Sequence, residues 1–228
     1  MTAGPRVQPT RPAGPPPSVA AGLPAWPQRA VDLAARWVHD CRRLDMQGLA
    51  DELGVSRVTL FRQAGTRDVL LGKALWALTE QTLVTAASRW EAERPAGALR
   101  TPGTGRHMNS LVSRSRSLRR LLDDEPALTL RVLTDPRGRV QTGVVAFIAA
   151  LLRADMADFG LVPLIEPDAL AYALVRLGES FLYADVLAAR QPDVATADCL
   201  QQALVTAFEP DDGRHRMRSK QEGCKIVR

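Results

Sequence analysis

The stretch Asp45–Leu71, DMQGLADELGVSRVTLFRQAGTRDVLL, decides how the chain is read. Asp45 can cap a short helix over Met46–Leu53, and Gly54 falls where such a helix stops with a positive backbone angle. Ser56 can cap a second helix, Arg57–Gln63, which Gly65 closes. Thr66 can cap a long one from Arg67 to about Glu93. Leu49, Ala50, Leu53, Val55, Val58 and Leu60 supply apolar contacts between the two short helices, and the small Ala50 lets them approach closely. This is the layout of a helix-turn-helix, in which the second helix enters the DNA major groove.

The residue types on that second helix suit the task. Arg57, Thr59, Arg62 and Gln63 are expected on its outer face. Arginine donates two hydrogen bonds to guanine, glutamine pairs with adenine, and a threonine methyl meets the thymine methyl. Ser56 and the helix N-terminus can face a phosphate. Thr66 and Arg67, opening the next helix, form a second candidate phosphate grip. Gln47, in the preceding helix, is a further candidate for the DNA-facing set.

Outward from the motif the pattern stays helical. Upstream, Ala30, Val31, Leu33, Ala34, Trp37, Val38 and Cys41 recur at spacings of three and four, which predicts a helix from Pro27 to about Arg43. Downstream, Arg94–Gly105 (RPAGALRTPGTG) reads as a loop on its Pro and Gly content. Helices are then expected over His107–Leu122, Pro126–Leu133, Arg139–Phe159, Pro167–Arg190 and Val194–Phe208. No run alternates with period two. The expectation is an all-α chain of about nine helices. It divides into an arm (1–26), a helix-turn-helix domain (27–73), a helical ligand-binding and dimerisation domain (74–209) and a tail (210–228).

Half of the sixteen prolines fall in the first 27 residues, which cannot hold a helix there and read as a disordered polyproline-like arm. The last sixteen residues hold six Lys or Arg against one acid. That tail is either a solvated end or a non-specific attraction to nucleic acid. No stretch approaches the roughly 18 uninterrupted apolar residues of a membrane span. The N-terminus lacks a signal-peptide core. Three widely spaced cysteines form no CxxC, which argues against a disulfide framework and for a reducing, cytoplasmic setting.

At Asp45–Leu71 the chain resembles the N-terminal domain of the TetR family of bacterial transcriptional regulators. The match runs through the apolar set of the first short helix, then GVSRVTLFR, the GTRD break, and Val69, Leu70 and Leu71. The resemblance implies that Arg57–Gln63 form the recognition helix. It puts Phe61 where a phosphate-contacting Tyr is usual and Arg67 where a phosphate-contacting Lys is usual. Phe61 has no hydroxyl to give a phosphate, and Ala64 stands where an aromatic residue commonly packs. DMQGLADELGVSRVTLFR followed by the Trp-containing LLGKALWAL is similar to the QsdR-type branch, associated with γ-lactone signals. The resemblance implies a homodimer on a pseudo-palindromic double-stranded DNA operator, released by a small-molecule effector. It implies no cofactor.

Pro167–Arg190 carries two stripes. Leu170, Leu174, Leu177 and Phe181 form one; Tyr172, Arg176, Glu179 and Tyr183 form the other, roughly opposite. One is expected to face a dimer partner and the other a cavity or core, and the sequence leaves open which. Arg176 and Glu179 read either as a surface ion pair or as groups that line a pocket or fix dimer register. Since the family's cavity lies among its central helices, Trp76, Thr79, Met108, Leu111, Val112, Phe147 and Leu151 are further candidates for its wall, each also an ordinary core residue. The mainly apolar composition of this half favours an apolar or amphiphilic ligand, such as a γ-lactone or fatty-acyl compound, over a sugar or nucleotide.

Nothing points to an enzyme. HExxH, GxSxG, the P-loop and GxGxxG are all missing, and His39, His107 and His215 are scattered, so no metal site is expected. Two alternatives remain beside the ligand-controlled regulator. One is the same fold acting without small-molecule control. The other is a helical enzyme with an apolar pocket.

Overall fold

The structure is a computed structural model that describes residues 26–207; the arm and tail expected at the two ends lie outside the described residues. Eleven helices and no strand occur among them: α1 (Trp26–His39), α2 (Met46–Leu53), α3 (Arg57–Ala64), α4 (Arg67–Glu93), α5 (Arg100–Ser113), α6 (Arg116–Asp124), α7 (Pro126–Thr134), α8 (Arg139–Phe159), α9 (Pro167–Leu182), α10 (Ala184–Ala188) and α11 (Val194–Thr206).

The local signals around α2–α4 act as expected. Asp45 accepts from the Gly48 amide, Ser56 from the Thr59 amide and Thr66 from the Val69 amide. Each satisfies a donor that a helix start leaves orphaned. Gly54 takes φ 71°, the left-handed value that ends α2.

Four expectations are corrected. The first helix stops at His39, and Cys41 takes φ 58°, so the chain turns before Arg43. The supposed loop Arg94–Gly105 is helical from Arg100 onward. Its cap comes from far away: Asp155 of α8 accepts from the Arg100 and Thr101 amides at 2.8 and 2.9 Å and from the Thr101 hydroxyl at 2.8 Å. Pro102 sits in the first turn, where a missing N–H is harmless. Gly103 is a packing glycine, since a Cβ there would lie 2.0 Å from the Trp90 ring. Next, His107–Leu122 is two helices, because Ser115 accepts from the Leu118 amide and starts α6 anew. Finally, Pro167–Arg190 breaks at Tyr183 into α9 and α10. These two breaks raise the count from nine to eleven.

The core has two parts. The larger joins α1–α4 to Leu121, Leu122, Leu133, Val140 and Tyr183, so the N-terminal helices are packed onto α6–α8 rather than tethered. The smaller joins α8, α9 and α11 through Ile148, Ala149, Leu152, Leu170, Leu174 and Val205. Each fully buried leucine contributes about 1.5–3 kcal/mol. Helix α8 is long and apolar enough to cross a membrane by length and composition. Here Val140, Ile148, Ala149, Leu152 and Asp155 along it are buried within the fold, which gives the helix one inward face.

Candidate DNA-binding surface and ligand cavity

Helix α3 is held by one edge. Leu60 and Ala64 are buried against α1 and α2, while Arg57, Phe61, Arg62 and Gln63 are exposed. Thr59 is half-buried and its hydroxyl is 2.8 Å from that of Ser56, which leaves its methyl as the group free to meet a base. Gln47 is exposed and donates to Asp51 at 2.8 Å. Val58 corrects the sequence reading: expected between the two short helices, it is 67% exposed and lies beside Phe61, itself 54% exposed. Sequence reasoning missed Val58 as a surface residue. The signal was its place roughly opposite Leu60 on the helix, on the arc shared with Arg57, Phe61 and Arg62.

Thr66 caps α4 beside this surface, but Arg67 does not stand free for a phosphate. It turns inward, donating from Nε to the Leu44 carbonyl at 2.8 Å and from its two terminal nitrogens to both oxygens of Glu125, at 2.8 and 2.5 Å. Arg43 lies 3.7 Å from the same carboxylate. The Arg67 guanidinium, with the smaller effect of Arg43, holds the Glu125 carboxyl below its ordinary 4.5. Asp68 pairs with Arg131 of α7 at 2.5 Å. The first turn of α4, directly after the exposed helix, is therefore clamped to the α6–α7 corner. The reason is electrostatic: a bidentate carboxylate, partly shielded from water, outcompetes solvent for a guanidinium.

Behind α6 lies a cavity of about 160 Å³, partly open to solvent, among α4, α5, α6, α8, α9 and α11. Of the residues named from the sequence as candidate wall, Thr79, Met108, Leu111, Val112, Glu179 and Tyr183 line this cavity. Trp76, Phe147, Leu151, Tyr172 and Arg176 do not. The Trp76 ring fills the crossing of α4 and α8, where a Cβ on Gly143 would fall 2.1 Å from it. Phe147 and Leu151 pack on the smaller core. Tyr172 is 49% exposed on the outer side of α9. Arg176 is also outside and reaches back to Glu179 at 2.7 Å. The polar stripe of α9 thus divides, with Tyr172 and Arg176 outward and Glu179 and Tyr183 inward. Of the apolar stripe, Leu170 and Leu174 are buried, while Leu177 and Phe181 are half-buried.

Burial pushes the Glu179 carboxyl up to about 7, outweighing the Arg176 pairing that pulls the other way. Burial, with the nearby Glu179 charge, pushes the Tyr183 hydroxyl up as well. The wall carries this one acid and no Lys, Arg or His. Among the polar wall residues that the sequence reading did not single out are Asn109, Gln141 and Gln201. Asn109 donates to Asp198 and Gln201 at 2.7 and 2.8 Å, and Gln201 donates to the Leu174 carbonyl at 2.8 Å. No group of three or more metal-ligating side chains occurs among the described residues.

An exposed short helix and a mainly apolar cavity, both bordered by the long α4, are the features of a helical regulator. Residues 96–206 match the family described as Tetracyclin repressor-like, C-terminal domain. The structure of the R. erythropolis transcriptional repressor QsdR from the TetR family matches with a TM-score of 0.71 and 31% sequence identity, covering 78% of this chain and 93% of that one. No match was found among curated proteins. The chain belongs to the TetR family of transcriptional regulators.

Proposed function

We propose that this chain is a dimeric repressor that binds a pseudo-palindromic operator through α3 and leaves it when a small apolar or amphiphilic molecule enters the cavity. The observation that carries the DNA-binding part is the exposed arc Arg57–Val58–Phe61–Arg62 on a helix whose opposite edge is locked by Leu60 and Ala64. Two such helices related by a two-fold axis would lie in successive major grooves, roughly 34–36 Å or a multiple apart. Arg57, Arg62 and Gln63 would donate to base edges, and Val58, Phe61 and the Thr59 methyl would meet thymine methyls. Ser56 and Thr66 at helix starts, with Gln47, would position the backbone. Selection of DNA fragments by the full chain, followed by footprinting, tests this reading. A two-fold-symmetric footprint supports it, and binding that never distinguishes one fragment from another overturns it.

Self-association is supported by apolar side chains left exposed on neighbouring elements: Val162, Leu164 and Ile165 between α8 and α9, Tyr172 on α9 and Leu200 on α11. Exposed apolar groups on adjoining elements suit a second copy of the same surface.

The link between cavity and operator would run through α6. Ser117 and Leu118 of this helix line the cavity, Leu121 and Leu122 enter the head core, and the corner at its end grips Arg67. A ligand that displaces Leu118 would thus move the anchor of the first turn of α4 and change the spacing of the heads. By linkage, operator must weaken ligand binding by the same factor. Glu125→Gln tests the anchor. It is expected to keep a bound operator but to blunt ligand-driven release several-fold, out of a total coupling of about 1–3 kcal/mol. An unaltered release curve, measured by fluorescence anisotropy on labelled operator, would remove the Arg67–Glu125 pair from the coupling path.

A further inference from the structure

The cavity wall holds one buried amide with nothing to bind. Gln141 of α8 is 3% exposed, and neither its Nε2 nor its Oε1 has a hydrogen-bond partner. Several polar neighbours in the wall are engaged, Asn109 with Asp198 and Gln201, Gln201 with the Leu174 carbonyl, Thr101 with Asp155 and Glu179 with Arg176, while the Thr79 and Tyr183 hydroxyls line it too. Buried amides are ordinarily paired, because a dry donor and a dry acceptor each forfeit their hydration. Gln141 lines the chamber with both amide atoms covered and unpaired, so a small turn of its side chain toward the space would present a donor and an acceptor side by side.

The rest of the wall narrows what would take them. A carboxylate entering the chamber meets Glu179 and finds no Lys, Arg or His in the wall to offset its charge. A lactone or ester has acceptors alone, so it could satisfy Nε2 and would leave Oε1 dry. A carboxamide has both groups in one plane: its carbonyl accepts from Nε2 while its N–H donates to Oε1. The space, about 160 Å³, is close to that of a cavity of about 150 Å³ known to admit benzene, which sets the scale of the apolar part.

We propose that the ligand of this cavity is a neutral carboxamide with a short apolar chain, paired in plane with the Gln141 amide. This rests on the reading of the cavity as an effector site. Calorimetric titration of the full chain with hexanamide, γ-hexanolactone, hexanoate and toluene tests it. Hexanamide is expected to bind about tenfold tighter than the lactone, with hexanoate weakest. In Gln141→Leu and Gln141→Met the advantage of hexanamide over the lactone disappears, while toluene still binds and reports an intact chamber. Equal affinity of the wild-type chain for hexanamide and lactone overturns the proposal. So does an advantage that survives both variants, or no hexanamide binding at all, in which case water alone serves Gln141. Operator release is scored separately. Hexanamide that binds in this pattern without releasing DNA keeps the Gln141 assignment and overturns the effector reading. Release by hexanamide that both variants leave unchanged does the reverse.

Discussion

Asp155→Ala is expected to lower the stability of the fold by about 4 kcal/mol, because it strips a buried helix start of its only cap. Asp155 is fully buried, and its two oxygens accept from the Arg100 amide, the Thr101 amide and the Thr101 hydroxyl. Removing the carboxylate leaves two backbone donors and a hydroxyl in a dry environment, and each such orphan costs about 1–3 kcal/mol. The effect on the melting temperature is roughly 10 °C for a chain of this size. Asp158→Ala is the control. It removes the 2.8 Å partner of Arg100, but that carboxylate is exposed, and exposed ion pairs contribute about 0–1 kcal/mol. Thermal unfolding of the two variants side by side decides the matter. Equal melting temperatures would mean that α5 does not depend on the cap from α8.

The second large effect is on DNA. Arg57→Ala and Arg62→Ala are each expected to weaken operator binding by about 1–3 kcal/mol per half-site, and to relax base preference at the positions they read. Both side chains are exposed, and the buried edge of α3 is formed by Leu60 and Ala64, so folding should be nearly unaffected. The magnitude follows from bidentate donation to guanine, which a phosphate contact could not mimic: losing a phosphate contact weakens all sequences alike and lowers the salt slope by about one. Gel shifts of both variants at matched salt, on operator and on mutated operator, separate these cases. Affinity unchanged in both would remove α3 from the interface.

How legible each part was in the sequence follows from the range of the interaction that sets it. The bounds of α2 and α4 could be read directly because their caps, Asp45 and Thr66, act on amides three residues away. The start of α5 could not, since its cap is 55 residues distant in the chain and its Pro and Gly imitate a loop. The partners of Arg67 were hidden for the same reason: its chemistry suits a phosphate, and only the fold brings Glu125, 58 residues on, to both its terminal nitrogens. Val58 was misplaced because a helix of eight residues with Val58, Leu60 and Phe61 has apolar groups on two sides, and composition does not say which side is inward. In the cavity, α9 was expected to present one whole stripe. The wall instead takes the strip between the two, Leu174, Val175, Gly178, Glu179, Leu182 and Tyr183, a face that only the packing of α9 against its neighbours selects. Gln141 carried no sequence signal, since one glutamine in an apolar helix is ordinary until its amide is found without a partner.

The central claim is that α3 lies in the major groove with Arg57 and Arg62 against base edges. Protection of guanine N7 from methylation tests it most directly, since that atom is reached only from the major groove. The account predicts protected guanines in two half-sites related by a two-fold axis, with protection lost at defined positions in Arg57→Ala and Arg62→Ala. Full-affinity binding with every guanine N7 still reactive would contradict it.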